Sequence, residues 1–410
     1  MTPDCGLDLA AAMSRVRLAW ANRDWAAMRQ AAEQLIVITE TPSAPEFLAL
    51  ATACRNLRDF DAASEAAERA WERAAWSPEI TMMRALIAFE RGDGELAILR
   101  FRELASRAPH NPRWVFELVI LHQMLGEVDT AAHELDAALE RMPADPLLWG
   151  IAVGSDFRTL QEATKAGLPL VGYGLYAALQ DRSPADDQLR RPLVSNQKLR
   201  DFMAAAPMAG DTLVVVFTGT NDTAGMPLSI FDRYLASLGC NAVYLKDFRR
   251  LLFLRGLKSL GDRDTTLQAI RALQRQLGCG RLCTIGMSAG AFAAIHYGVE
   301  LGADCILSFG APTYHSPNLG GAAIQRRLYE TFLSNWELDL RAFLQSRSYT
   351  SHINLFFGER ELRDRAHALY LDDLDGVTLH PVSQLNDHEC LRWFALNRDL
   401  RTLLGEWLGV

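Results

Sequence analysis

Downstream of residue 211 the chain alternates short apolar runs with amphipathic stretches. Thr212-Leu213-Val214-Val215-Val216-Phe217 is a continuous, β-branched-rich run, as a strand buried on both faces requires. It ends in Thr218-Gly219-Thr220-Asn221. The pattern then predicts a helix over 228–238, a strand at 242–245, a long helix over 265–277, a strand at 281–285, a helix over 289–297 and a strand at 303–309. An interruption spans 311–350. Strands at 353–357 and 377–380 flank a further helix, and a last helix runs over 390–404. Strands alternating with helices imply a mainly parallel sheet covered on both sides. Residues 149–210 carry the weakest pattern. Pro169-Leu170-Val171-Gly172-Tyr173-Gly174 offers one strand and 180–191 reads as a polar loop, so 149–210 is taken as connector and leading edge of a domain at 211–410.

Residues 1–148 follow another rhythm. Leu57-Arg58-Asp59-Phe60, Arg91-Gly92-Asp93-Gly94 and Leu125-Gly126-Glu127-Val128 recur every 34 residues. Ala63, Ala97 and Ala131 keep that step, as do Ala70, Leu104 and Ala138, and Pro78, Pro112 and Pro146. Arg23-Asp24-Trp25-Ala26-Ala27 is a weaker copy ahead of them. The pattern describes stacked helical hairpins: a short polar turn, small residues where two helices approach, and proline opening the next helix, where its missing N–H is harmless. It resembles the tetratricopeptide repeat, with about three and a half copies, although most consensus Trp and Tyr positions carry other apolar residues. An unrelated helical bundle is the alternative. The resemblance implies a concave groove for a peptide or protein partner; an array that only packs on and shapes the following domain is the competing reading.

Composition narrows the function classes. Hydrophobic residues make up 49% and charged residues 22% of the 410, a chain that buries real cores. Residues 1–150 hold 15 arginines, no lysine and 23 acidic residues, so the whole net charge of −8 falls there. A nucleic-acid binder needs a basic face, and this balance argues against one. No apolar run is long enough to span a membrane, and the first residues lack a secretory signal pattern. The seven cysteines are scattered, with no C-x-x-C pair, which argues against metal fingers and disulfide frameworks and for a reducing cytoplasm. Cys279 and Cys283 have no His or carboxylate at ligand spacing and read as buried thiols, and no phosphate-cradling G-x-x-x-x-G-K motif occurs. Neither a metal nor a cofactor is expected.

The chemistry concentrates at Gly286-Met287-Ser288-Ala289-Gly290, a G-x-S-x-G turn between an apolar strand and an Ala-rich helix, where a nucleophile elbow belongs. A serine on so sharp a bend needs small neighbours two positions either side, and the helix dipole behind it favours developing negative charge. With this context residues ~210–408 resemble the α/β hydrolases, giving a two-domain expectation: a helical repeat solenoid at 1–148 and an α/β-hydrolase domain at 211–410. The resemblance implies Ser288 as nucleophile, followed in chain order by an acid and then a histidine base. His388, between the last strand and the last helix, is the expected base, with His380 the runner-up. Two acids compete after strand 353–357: Asp364, which as an aspartate opening a helix is also a natural N-cap, and Glu361, at the common spacing of the fold. The oxyanion donors expected are the backbone N–H groups of Ala289 and of Thr220, where Thr218-Gly219-Thr220 stands in for the family's His-Gly-x. Asn221 and Asp222 are turn residues or substrate contacts. The insertion at 311–350, with Tyr314, Tyr329, Phe332, Trp336 and Phe343, is either a cap over the site or a helical insert packed on the repeats.

The resemblance implies a serine hydrolase cleaving an ester, thioester or amide through an acyl-enzyme. An acyltransferase or thioesterase acting on a small or carrier-borne acyl substrate, and a catalytically inactive hydrolase-fold adaptor, are the other readings.

Overall fold

The computed structural model describes residues 5–22, 24–74, 76–154, 157–158, 162, 178–179, 181–184, 189–195, 199–314, 333–334 and 336–410. The chain divides into two compact units, Met1–Leu125 and Gly126–Val410.

In the first unit α1 (Cys5–Ala21), α2 (Trp25–Ile38), α3 (Ala44–Asn56), α4 (Phe60–Arg73), α5 (Pro78–Glu90), α6 (Gly94–Arg107) and α7 (Pro112–Leu125) pack in sequence, α1 on α2, α3 on α4 and α5 on α6, each pair against the next. The 34-residue step has a local cause. Arg58 (φ 63), Gly92 (φ 89) and Gly126 (φ 85) turn the chain in the left-handed region. Asp59 and Asp93 then cap α4 and α6 by accepting the Ala62 and Leu96 N–H groups at 3.2 and 2.9 Å, as Asp24 does for Ala27 ahead of α2; each such cap is worth about 1 kcal/mol. Ala63, Ala70, Ala97 and Leu104 are completely buried, and Pro78 and Pro112 open α5 and α7. The sequence period is therefore a packing period.

The last two repeat-like helices, α8 (Val128–Arg141) and α9 (Pro146–Gly154), count with the second unit. Its sheet comprises β1 (Leu193–Val194), β2 (Phe202–Ala205), β3 (Thr212–Phe217), β4 (Asn241–Leu245), β5 (Arg281–Met287), β6 (Cys305–Phe309), β7 (His352–Gly358) and β8 (Val377–Val382), in the order β1-β2-β4-β3-β5-β6-β7-β8. Strands β3 to β8 run parallel; β1 and β2 form an antiparallel margin on β4. All six residues of β3 are buried, as their unbroken apolar run requires. Helices α10 (Leu228–Ser237), α11 (Arg263–Leu277), α12 (Ala289–Leu301), α13 (Leu340–Gln345), α14 (Leu362–Leu369), α15 (Cys390–Asn397) and α16 (Leu400–Leu408) complete the described elements. On one face Phe309 stacks on Phe356 at 4.6 Å, and Trp407 lies 4.5 Å from Phe356. Phe309 and Phe356 are buried, and each contributes about 1.5–3 kcal/mol.

The expected strands and helices of 212–309 and 352–382 are present, so the fold is a helical repeat region followed by an α/β domain with a mainly parallel sheet. One expected helix is corrected. The segment 390–404 is not continuous: Arg398 is extended, and Asp399 starts a new helix by accepting the Thr402 N–H at 3.2 Å. The strand offered at 169–174 lies outside the described residues.

Candidate active site

The turn from β5 to α12 has the strain its sequence demands. Ser288 sits at φ 55, ψ −121, a conformation costing about 1–3 kcal/mol for a residue with a Cβ. Its N–H donates to the Phe309 carbonyl at 2.9 Å and its carbonyl accepts the Ala291 N–H at 2.9 Å. A Cβ at Gly286 would lie 2.0 Å from the Gly290 carbonyl oxygen, and one at Gly290 would lie 2.1 Å from that of Phe217. Neither position admits any other residue, which is the physical content of the motif.

His388, between β8 and α15, points Nδ1 at Asp364 Oδ2 across 2.6 Å. Asp364 is 2% exposed. A carboxylate only accepts, so Nδ1 carries the proton and Nε2 presents a lone pair. That Nε2 is buried and makes no hydrogen bond among the described residues. Burial is the largest influence on this imidazole and lowers its pKa, but the Asp364 hydrogen bond and charge, with Glu389, outweigh it and leave the pKa above its ordinary 6.5. Gly310 (φ 65) closes the arrangement: a Cβ there would lie 2.7 Å from His388 Cε1 and 3.1 Å from Asp364 Oδ2. The Ser288 backbone and the His388 ring thus flank the same Phe309–Gly310 step. Nothing in the sequence singled out Gly310 beyond its place directly after a buried strand.

The two candidate acids separate cleanly. Glu361 is the N-cap of α14 and accepts the Asp364 N–H at 2.5 Å. Asp364, expected to compete as a cap, instead faces the imidazole. His380 bonds Asn354 Oδ1 through Nε2 at 2.9 Å and stacks on Phe356 at 4.5 Å, a packing role inside the sheet. His296 is buried against Phe292 and Phe343, with Arg263 at its Nδ1; burial, then Arg263 and Arg347, hold its pKa well below 6.5. His352 is exposed at the start of β7. His315 lies outside the described residues, as do Tyr329 and Phe332. Of the other aromatics of the insertion, Phe343 is buried, Trp336 is 66% exposed and Tyr314 packs on His367 and Tyr370.

Of the amides after β3, Thr218 N–H is bonded to the Leu245 carbonyl at 3.1 Å and Gly219 N–H to that of Thr223 at 2.9 Å. Those of Thr220 and Ala289 meet no acceptor among the described residues. Gly219 lies against the elbow, a Cβ there falling 3.7 Å from Ser288 Cβ. Asn221 is exposed, whereas Asp222 is buried in an ion pair with Arg250, a pairing that sequence reasoning missed because its members are 28 positions apart.

His367 of α14 anchors the chain leaving β6. Its Nδ1 accepts the Thr313 N–H at 3.1 Å, and the Thr313 hydroxyl donates to the His367 carbonyl at 2.7 Å. Burial, then Arg363, lowers its pKa from 6.5 to about 4. Between those values the unfolded chain binds a proton that the native state refuses, so stability falls as pH drops from 6.5 toward 4. Relative to His367→Gln, the wild type should lose about 2–3 kcal/mol more stability between pH 7 and pH 4.5. Urea unfolding at both pH values measures this, and an equal loss in both proteins would contradict it.

Cys240, Cys279, Cys283, Cys305 and Cys390 are buried free thiols whose pKa values burial raises. Among the described residues no group of three or more His, Cys, Asp and Glu side chains is placed to hold a metal ion, and no helix is long and apolar enough to cross a membrane.

A family model of the tetratricopeptide repeat matches residues 88–152. No curated protein matches the sequence. Among solved structures the chain is similar to the fluorophosphonate-binding serine hydrolase FphF of Staphylococcus aureus (10% identity, TM-score 0.38, 50% of this chain and 96% of that one). It is also similar to the capsule O-acetyltransferase of Neisseria meningitidis serogroup A (13%, 0.36, 56% and 99%) and to the esterase Pf2001 of Pyrococcus furiosus (15%, 0.32, 51% and 86%). The family model places a tetratricopeptide-type repeat at residues 88–152, ahead of an α/β domain whose mainly parallel sheet carries a glycine-flanked serine turn after β5.

Proposed function

We propose that the second unit is a serine hydrolase working by acyl transfer, with Ser288 as nucleophile, His388 as general base and Asp364 as the acid that orients it. The observation that carries this reading is the Asp364–His388 pair, 2.6 Å apart, whose buried Nε2 is unbonded and whose ring lies against Gly310, next to the Phe309 carbonyl that accepts the Ser288 N–H. As Ser288 Oγ bonds the carbonyl carbon, His388 Nε2 takes its proton, and the carbonyl electrons move to the oxygen held by the Thr220 and Ala289 N–H groups. Asp364 stabilises the imidazolium. Collapse of the tetrahedral adduct expels the leaving group, which receives the proton from His388, and water attacks the acyl-enzyme by the same steps in reverse. An ester is the first choice of substrate, with thioester and amide alongside. An alcohol or amine in place of water makes the same machinery an acyltransferase, and the repeat region offers a surface for a partner delivering a carrier-borne acyl group. The buried free thiols fit a reducing, cytoplasmic setting.

An alkyl fluorophosphonate tests the reading directly. It should label the wild type stoichiometrically, should not label Ser288→Ala, and should label His388→Ala far more slowly. Absence of labelling in wild type, or equal labelling of Ser288→Ala, would favour the inactive adaptor.

A further inference from the structure

The loop after β3 and the loop after β4 are joined by one buried ion pair. Arg250 Nη1 donates to Asp222 Oδ1 at 2.7 Å and Nη2 to Asp222 Oδ2 at 2.9 Å; Nη1 also donates to the Thr220 carbonyl at 3.0 Å. The two side chains are 3% and 1% exposed. Stripping water from two charges is costly, and an apolar pair of equal volume is often at least as stable. Stability alone therefore does not account for the pair.

Its backbone setting shows what it fixes. Asp222 (φ 58) and Arg250 (φ 56) are both left-handed, as are Leu252 and Phe253. The Arg250 loop is held rigid by the Asp247 carboxylate, which accepts the N–H groups of Arg249, Leu251 and Phe253 at 3.0, 2.7 and 2.8 Å. The Asp222 N–H donates to the Gly219 carbonyl at 3.1 Å. In a trans peptide the C=O and N–H point oppositely, so this bond turns the Thr220 N–H of the same peptide away from the loop interior. The Arg250 guanidinium fixes the next peptide through the Thr220 carbonyl. Both peptides flanking Thr220 are thus locked, one position beyond the glycine that abuts Ser288.

We propose that Arg250 and Asp222 are positioning residues whose ion pair presets the Thr220 N–H as an oxyanion donor. This rests on the serine-hydrolase reading. A donor fixed before reaction costs no reorganisation when the oxyanion forms, and removing one such donor typically lowers kcat by about 10²–10³-fold.

The test uses p-nitrophenyl butyrate turnover and the rate of fluorophosphonate labelling in the full chain. The paired variant Asp222→Asn/Arg250→Met removes both charges of the pair together, and the buried Asp247 carboxylate keeps its three backbone N–H bonds. It should keep the wild-type circular dichroism, lower kcat by about 10²-fold, keep KM within about threefold, and slow labelling in step with kcat. Arg250→Lys keeps a charge facing Asp222 but loses the fork on that carboxylate and, with it, the Nη1 bond to the Thr220 carbonyl; it remains testable if the paired variant fails to fold, and should lose about tenfold in kcat with KM unchanged. Either folded variant retaining wild-type kcat and labelling rate, or losing binding rather than kcat, would overturn the assignment. A wild type that is not labelled at all would instead sink the serine-hydrolase reading, so the two failures are distinguishable.

Discussion

Asp364→Asn is expected to lower kcat by about 10⁴-fold with little change in KM or melting temperature. The reason is tautomeric. The carboxylate accepts only, so at 2.6 Å it obliges His388 Nδ1 to carry the proton and leaves Nε2 basic. An asparagine offers an NH₂ in the same place, and the imidazole then accepts at Nδ1 and holds its proton on Nε2, where it cannot take one from Ser288. The variant also loses a negative charge that favours the imidazolium. In the wild type kcat/KM should rise with pH through the His388 pKa, which lies above 6.5; in Asp364→Asn the residual activity should reach its plateau at lower pH. Glu361→Gln is the matched comparison. That side chain caps α14, so its amide should cost up to about 1 kcal/mol of stability and leave kcat within about threefold. Steady-state kinetics on an activated ester measure both. A large kcat loss in Glu361→Gln and a small one in Asp364→Asn would exchange their roles.

That comparison marks where sequence reasoning stops. Ser288 is legible because its backbone leaves a signature: a strained bend can be written only with glycine at 286 and 290, where any Cβ would meet a carbonyl oxygen. The repeat is legible because its left-handed turn and its aspartate cap recur at one spacing. The central strands are legible because burial on both faces demands unbroken apolar runs. Asp364 and Glu361 lie within one helical turn, and spacing alone does not say which carboxylate caps the helix and which turns to the imidazole. Arg250 and Asp222 come from separate loops with no local pattern linking them, and their pairing exists only once β3 and β4 lie side by side. The antiparallel margin is too short for a periodic signal, β1 being two residues long. The break at Asp399 was readable in principle, since an aspartate three residues before Thr402 is a capping pattern, but the apolar residues on either side kept a helical spacing that masked it.

Gly310→Ala should lower kcat by about 10²-fold or more while the protein stays folded, and Gly302→Ala supplies the control. Both glycines have φ 65, so both substitutions carry the same backbone penalty of about 1–2 kcal/mol. They differ in what the new methyl group meets. At Gly302, following α12, nothing lies within 4 Å, and the change should be felt in stability alone. At Gly310 the methyl would sit 2.7 Å from His388 Cε1 and 2.8 Å from Nδ1, contacts that real atoms do not sustain. The neighbouring Asp364 is buried and fixed, whereas the His388 side chain is 24% exposed, so the imidazole is the group that yields. Its displacement breaks the bond to Asp364 and carries Nε2 away from Ser288, and a shift of about 1 Å at a reacting group is enough for a hundredfold loss. Thermal melts of the two variants should therefore nearly coincide while their fluorophosphonate labelling rates diverge by about 10²-fold. Equal labelling rates would mean that the His388 ring does not need its place against Gly310 to activate Ser288.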